Sequence, residues 1–260
     1  MLSYLMNLRE IINHGTRKHP TRKESGETKN ATIGLPNIVL KRNLEQGFPL
    51  LITRKINFDA MVGELRSFLE GRDNNNDFES NGCNFWKPWA GKNGDLGPIY
   101  GVQWNKYDQL QHVLDNLKHQ TDRRMVVSAW NPPEHADMAL PPCHLMWVVT
   151  PYDGKVNLSW IQRSADFPIG VPYNIASYAL LTHLLAEWSG LVAGSITATF
   201  CDAHIYDNQI KGVELQLSRA PKKLPKIEVW FEDLNNFNSW QCKLSDYNYY
   251  PNINFGKVEV

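Results

Sequence analysis

The sequence of 260 residues is poor in cysteine, carries no excess of charge and contains no long apolar run. No apolar stretch approaches the roughly 18 residues that a membrane-spanning helix needs. The first 15 residues place Arg9 and Glu10 inside an apolar pattern, which predicts an amphipathic helix rather than a signal peptide. The four cysteines lie far apart and form no C-x-x-C pair, so we expect neither a metal site nor a disulfide framework. They are Cys83, Cys143, Cys201 and Cys242.

The charge balance excludes other classes of partner. Lys plus Arg number 27 and Asp plus Glu number 27, so the formal net charge is zero. Nucleic acids and anionic membranes bind through a basic excess, so we expect neither as a partner, although a local pocket for one phosphate remains possible. Hydrophobic residues make up 42% and charged residues 21%, which is ordinary for a globular protein. No linker or repeat divides the chain, so we expect one cytoplasmic domain over residues 1–260.

Helical and strand patterns are mixed along the chain without regular alternation. The segment 174–189 is apolar nearly all round, which predicts a helix buried at the centre of the molecule. The pattern as a whole predicts an α+β fold with a large mixed or antiparallel sheet covered by helices around that helix. Further helices are predicted at 1–15, 58–69, 107–119 and 208–217. Strands are predicted at 33–40, 125–130, 145–150, 155–162, 194–206 and 226–231, with a long basic loop at 16–30.

Cys143 follows two prolines, Pro141 and Pro142, and precedes a predicted strand. The simpler interpretation is a buried structural cysteine, since cysteine is often buried. Two prolines, however, fix the backbone and present the thiol rigidly. Cationic groups beside such a thiol stabilise the thiolate, which is the nucleophilic form.

Arginines are available at two strand ends, in Arg123-Arg124 and in Gln162-Arg163-Ser164. Each group could be a solvated strand end, but together they favour a phosphate clamp, because guanidinium groups bind phosphate in a bidentate manner. Asn174 follows a loop rich in glycine and proline. It is either the N-cap of the buried helix or an amide that reads a uracil-type edge through its donor and acceptor.

These segments together resemble folate-dependent thymidylate synthase, a family that includes homologous phage pyrimidine-nucleotide hydroxymethylases. The resemblance rests on Arg123-Arg124 and on five longer segments, and it covers nearly the whole chain. The segments are 47–51, 94–101, 140–144, 162–179 and 202–206.

The resemblance implies a thymidylate-synthase-like fold and the methylation of dUMP to dTMP with methylenetetrahydrofolate as co-substrate. Its implied catalytic residues are Glu64, Tyr100, Asn174, Asp166 and Cys143. Of these, Cys143 adds to C6 of the pyrimidine. The implied nucleotide-binding residues are Arg123, Arg124, Gln162, Arg163, Ser164, Asn174, His204, Tyr206 and Arg22. The implied folate-binding residues are Trp86, Trp89, Leu140, Asp166, Gly170, Tyr173 and Val260. It also implies a homodimer with shared active sites, in which Arg123 and Arg124 come from the second subunit.

Three departures from the family pattern concern the last step. The usual Arg-Thr-Gly-Thr-Gly-Thr loop is absent, and only Arg22 or Lys23 could replace its arginine. Lys87-Pro88 stands where acidic residues are usual, and Ser67 stands where a tryptophan is common. They leave a hydroxymethylase acting on dUMP, or less favourably on dCMP, as the alternative, with water instead of hydride ending the reaction.

Two other classes of function, a cysteine hydrolase and a binding-only protein, fit the sequence less well. A cysteine hydrolase using Cys143, His204 and Asp202 has no oxyanion motif in this sequence. A binding-only protein would be expected to lack the nucleophile or to carry a basic surface. Neither condition holds, so both readings rank below the nucleotide enzyme.

Overall fold

The structure, a computed structural model, describes residues 2–22, 26–27 and 30–256, and only the backbone of 21, 22, 26 and 27. Within these residues there are seven α-helices: α1 (Leu2–His14), α2 (Phe58–Leu69), α3 (Asn75–Ser80), α4 (Tyr100–Asn105), α5 (Gln109–Asn116), α6 (Gly170–Ser189) and α7 (Ile210–Leu217).

The strands follow a mixed topology. They are β1 (Thr16–Lys18), β2 (Thr21–Arg22), β3 (Gly26–Glu27), β4 (Thr32–Asn43), β5 (Val126–Ser128), β6 (His144–Tyr152), β7 (Lys155–Gln162), β8 (Ala165–Asp166), β9 (Val192–Tyr206), β10 (Lys226–Phe231) and β11 (Trp240–Ser245). The main sheet has seven strands in the order β1-β4-β9-β7-β6-β5, with β8 also paired to β9. Strands β7 and β8 run parallel to β9, whereas the other pairs of this sheet are antiparallel.

Helix α6 lies across one face of this sheet and forms the centre of the core. Its side chains Leu180, Leu181 and Leu184 are fully buried, as are Trp160 and Phe200 on the facing strands. A helix that is apolar on all sides is stable only when it is surrounded, which is the position that α6 occupies. The predicted α+β fold with a large mixed sheet and one central buried helix is therefore confirmed.

The opposite face of the sheet is left open by the described residues of the chain. Val39, Ile161 and Val126 point to this face and are 56%, 39% and 37% exposed. Val39 and Ile161 both pair with Thr199 of β9, so they form a row across adjacent strands. Exposed apolar groups arranged in this way on a flat sheet are typical of a surface that another protein covers.

The predicted helix at 174–189 begins four residues earlier, at Gly170. Pro172 does not prevent this, because a proline in the first turn of a helix loses no intrahelical hydrogen bond. Asn174 therefore lies within the helix, and the interpretation of Asn174 as an N-cap is wrong.

Other boundaries also differ from the sequence predictions. The segment 16–30 was predicted as a loop but contains β1 and the short β2–β3 pair. The helix predicted at 107–119 starts only at Gln109, because Tyr107 and Asp108 have φ of 58° and 54°. Helices α3 and α4 and strand β11 were not predicted. Among the described residues, no helix is both long and apolar enough to cross a membrane.

Candidate active site

The turn that carries Cys143 is tied down by one arginine. The Arg163 guanidinium donates to Pro141 O and Pro142 O, each at 2.8 Å, and its Nη2 lies 3.9 Å from Cys143 Sγ. The Arg163 amide also donates to Cys143 O at 2.8 Å. Prolines at 141 and 142 fix φ, so the two carbonyls are presented to the arginine by a restricted backbone. The result is a rigid thiol with a cation beside it.

Tyr100 holds the same turn from the other side. Its hydroxyl accepts hydrogen bonds from the amides of Cys143 at 2.6 Å and His144 at 3.3 Å. The Tyr100 ring packs against the His144 ring at 5.2 Å, and Tyr178 Oη lies 3.4 Å from His144 Nδ1. Burial lowers the pKa of His144 to about 4, opposed by a hydrogen bond with Asn174, so this imidazole is neutral near pH 7.

The ionisation of Cys143 reflects two opposing effects. Burial raises the pKa of the thiol, and the Arg163 guanidinium lowers it. Arg163 is the cation that acts on this sulfur within the described part of the chain. Stabilisation of the thiolate by further cations stays a prediction.

Gln162 orients the amide of Asn174. Gln162 ends β7 and is buried, and its Nε2 donates to Asn174 Oδ1 at 3.2 Å and to Ser164 O at 3.0 Å. Its Oε1 accepts from Trp160 Nε1 at 3.4 Å, which defines the orientation of the Gln162 amide. Asn174 therefore lies between Gln162 and His144 at the start of the central helix.

Asp166 forms a second polar group on the adjacent strand β8. Its Oδ1 accepts from the Ile169 amide at 3.0 Å and its Oδ2 accepts from Gln209 Nε2 at 2.9 Å. Burial raises the pKa of Asp166, opposed by these hydrogen bonds and by His204. His204 pairs with Asp166 across β8 and β9, and its ring lies 5.2 Å from the Tyr206 ring. The structure thus brings Asp166, His204 and Tyr206 together.

Glu64 on α2 is paired with Trp86. The indole Nε1 donates to Glu64 Oε1 at 2.9 Å, and burial raises the pKa of Glu64 to about 7. Two other titratable groups, Cys83 and Tyr178, interact electrostatically with this carboxyl. Burial raises the pKa of Cys83 to about 12 and raises that of Tyr178 still further. Near neutral pH, Glu64 is therefore the member of this group that changes charge.

Aromatic side chains link Glu64 to the cysteine turn. Trp86 is buried and lies between Tyr100 at 5.9 Å and Trp89 at 6.1 Å, measured between ring centroids. Tyr173 packs against Phe85 at 5.0 Å, and its hydroxyl accepts from the Asn57 amide at 3.4 Å. The other predicted folate-contacting residues, Leu140, Gly170 and Trp89, are half-buried. A Cβ built on Gly170 meets only Asn174 Oδ1 at 3.9 Å, so this helix start faces open space.

The predicted arginines Arg123 and Arg124 do not join this cluster. They are exposed and directly precede Met125, whose carbonyl accepts from Val149 N in β6. Cys143 directly precedes β6 and lies six residues before Val149, which corresponds to roughly 20 Å along an extended strand. The predicted phosphate clamp is therefore incomplete in one chain. The Arg22 side chain, Lys23 and Val260 lie outside the described residues.

Three residues with a structural role in the site were not predicted. Gln209 holds Asp166, Tyr178 contacts His144, and Trp130 lies 5.8 Å from the Arg163 guanidinium. Gln209 follows the 202–206 motif closely, and Tyr178 lies one helical turn after Asn174, so spacing could have indicated both. Trp130 carries no such signal, because its contact with Arg163 joins two segments that are distant in sequence. No three His, Cys, Asp or Glu side chains of the described chain group as metal ligands.

A comparison with protein families agrees with this arrangement. The family model described as thymidylate synthase matches residues 2–259, which is almost the entire chain.

The raised pKa of Glu64 predicts a pH-dependent loss of stability. Unfolding returns the carboxyl to its ordinary pKa of about 4.5, so the folded state binds more protons between that pH and about 7. The free energy of unfolding should therefore fall as pH rises through this interval. Glu64→Gln removes the effect but keeps an acceptor for Trp86. We expect its stability relative to the native protein to rise by about 2–3 kcal/mol between about pH 5 and about pH 8.

Urea unfolding at a series of pH values measures this difference. Glu214→Gln, on an exposed position of α7, provides the control and should follow the native curve. Parallel curves for the native protein and Glu64→Gln would show that Glu64 has an ordinary pKa.

Proposed function

Because this chain belongs to the thymidylate synthase family, we propose that it converts dUMP to dTMP with methylenetetrahydrofolate as co-substrate and Cys143 as nucleophile. The observation that carries the proposal is the Cys143 turn, which Arg163 and Tyr100 hold from two sides. A protein that only bound nucleotides would not need a thiol whose turn is fixed by five hydrogen bonds.

In the proposed first step, the Cys143 sulfur bonds to C6 of the pyrimidine, and the C5–C6 double bond supplies electrons that pass to C5 and O4. Asn174 supports this charge shift, since its amide can donate to O4 and accept from N3–H of uracil. Gln162 occupies Asn174 Oδ1 from inside the protein and so sets the direction of the amide. Bound methylenetetrahydrofolate supplies the one-carbon unit and, for methylation, the hydride.

Proton transfer is proposed to involve Glu64 and Tyr100. A carboxyl with a pKa near 7 can both accept and donate a proton at neutral pH. The hydroxyl of Tyr100 accepts hydrogen bonds from two amides next to the nucleophile, which supports a role for it in removal of the C5 proton. The folate is proposed to lie against Trp86 and Tyr173, with Asp166 as the polar partner of the pterin.

Exclusion of water favours methylation over the hydroxymethylase alternative. An electron-poor methylene on the nucleotide accepts hydride or water, so a dry site decides the product. Two of the three departures in sequence leave the packing around Trp86 intact. Lys87 is exposed and its Nζ lies 3.8 Å from Glu79 Oε1, and Ser67 is fully buried on α2, where it binds Asn81. Trp86 remains packed against Phe68 and Tyr100. These contacts support dTMP as the main product.

Arg123 and Arg124 are proposed to act in a dimer. Roughly 20 Å of extended strand along β6 separates them from their own Cys143, while the open sheet face offers a surface for a second copy. A two-fold dimer would bring each pair of arginines to the site of the other subunit. They would add positive charge near the phosphate and the thiol. His204 and Tyr206 are proposed to hold the sugar hydroxyl.

Product analysis tests the proposed reaction. Incubation with dUMP and methylenetetrahydrofolate should give dTMP and dihydrofolate, identified by mass spectrometry and absorbance. Cys143→Ser should abolish turnover, because an alcohol is a much weaker nucleophile at neutral pH. Cys242→Ser, on the distant β11, is the matched control and should retain activity. Hydroxymethyl-dUMP without dihydrofolate would instead establish the alternative reaction.

Asn174→Asp should weaken the preference for uracil nucleotides. A protonated carboxyl can donate to N3 of cytosine and accept from its amino group. The lost match should cost dUMP on the order of 1–3 kcal/mol relative to dCMP. The ratio of kcat/KM for dUMP and dCMP measures this effect. An unchanged ratio would mean that Asn174 does not read the base.

Subunit mixing tests the shared site. Inactive Cys143→Ser and inactive Arg123→Ala/Arg124→Ala proteins should regain part of the activity after subunit exchange, because one hybrid site is then complete. Sedimentation of each protein alone provides the oligomeric state. A monomer, or proven exchange without recovery of activity, would contradict a shared site.

A further inference from the structure

The segment 81–86 lies directly against the backbone of α2. A Cβ built on Gly63 would lie 2.2 Å from Asn81 O and 3.1 Å from Cys83 N. Real Cβ atoms do not approach backbone atoms as closely as the first of these distances, so only glycine allows this packing. The close approach brings the segment onto the turn of α2 that also carries Glu64.

Ser67 secures the start of this segment. Its hydroxyl donates to Gly63 O at 2.9 Å and accepts from Asn81 Nδ2 at 3.1 Å, and Ser67 is fully buried. The same Asn81 amide reaches Glu70 Oε2 at 3.3 Å, and that carboxylate also accepts from Arg72 Nε at 3.1 Å. Asn81 is therefore bound to two successive turns of the helix.

Trp86 marks the end of the segment. Its hydrogen bond to Glu64 is the directional contact, since Phe68, Phe78 and Tyr100 touch the ring only through edge or tilted packing. Such ring contacts depend weakly on small rotations, whereas a hydrogen bond requires alignment of the N–H with the acceptor. The alignment of the indole thus depends on where the backbone of 81–86 is held.

We infer that Ser67 and Asn81 are positioning residues. By docking this segment on α2, they keep the Trp86 indole N–H on Glu64 and hold its ring over the cleft, which is the space beside the Cys143 turn where the substrates are proposed to bind. The catalytic consequence rests on the proposed function, in which Trp86 excludes water and Glu64 handles a proton. The positioning itself is a property of the free protein. Loss of the Ser67–Asn81 contact should let the indole move away from the carboxylate and admit water to the cleft.

The groups around Glu64 are uncharged near neutral pH, so the effect on Trp86 can be measured there. The titratable groups that face Glu64 are Cys83 and Tyr178, and both stay neutral there because burial raises their pKa. Ser67 and Asn81 carry no charge. A pH-dependent change at the Trp86 indole near pH 7 therefore reports Glu64 through their shared hydrogen bond.

The test compares the free native protein with Ser67→Ala, Asn81→Ala and the double variant. The ¹⁵N-indole NMR signal of Trp86 is assigned by its absence in Trp86→Phe. We expect both single variants to shift this signal in the direction of a weaker hydrogen bond and to remove its step near pH 7. The double variant should give the same Trp86 signal as Asn81→Ala, because the Ser67–Asn81 contact is already lost in that single variant.

Ser189→Ala is the matched control. Its hydroxyl makes the same bond one turn back, to Leu185 O at 2.8 Å, but at the far end of α6. This variant should leave the Trp86 signal unchanged. Product analysis adds a second readout, in which both variants should raise the ratio of hydroxymethyl-dUMP to dTMP severalfold.

The outcomes separate the inference from the proposed function. A Trp86 signal that keeps its position and its pH step in both variants would overturn the positioning role. A shifted signal with an unchanged product ratio would overturn the link to water exclusion. The native protein could also form neither product from dUMP while the Trp86 signal still shifts in both variants. That result would support the positioning role and refute only the proposed function.

Discussion

The bond from Arg163 to the Cys143 turn is the constraint on which the rest of the site depends. One guanidinium group binds Pro141 O and Pro142 O and also lies beside the sulfur. Because the same side chain fixes the backbone and supplies the charge, the thiol cannot move away from its cation. Arg163 directly follows β7, and its amide donates to Cys143 O just before β6. The register of β6 and β7 therefore sets the position of the nucleophile.

Burial determines the ionisation of the groups around this turn. It raises the pKa of Cys143, raises that of Glu64 to about 7 and lowers that of His144 to about 4. Burial thus disfavours the charged form of each of these three groups, while Arg163 is the cation beside the sulfur. On the proposed dimer, further positive charge comes from Arg123 and Arg124 of a second copy. Formation of the dimer would then control activity by favouring ionisation of the thiol.

The sequence allowed the fold class to be predicted, and several of the predicted site residues lie together in the structure, but their contacts could not be predicted. The apolar character of 174–189 and the alternation in 155–162 report burial directly, so α6 and β7 were identified. The start of α6 was missed because glycine and proline suggest a loop, although both are tolerated in a first helical turn. β11 was missed because its half-buried residues alternate weakly. Ser67 stands where the family commonly has a tryptophan, and its bond to Asn81 is a contact that no pattern in the sequence encodes.

The central claim is that Cys143 forms a bond to the pyrimidine. Rapid acid quenching during turnover with dUMP and methylenetetrahydrofolate, followed by proteolysis and mass spectrometry, tests it most directly. The account predicts a nucleotide adduct on the peptide that contains Cys143 and on no other cysteine, with no adduct in Cys143→Ser. Turnover with no adduct on this peptide, or with an adduct on Cys83, Cys201 or Cys242, would contradict the account.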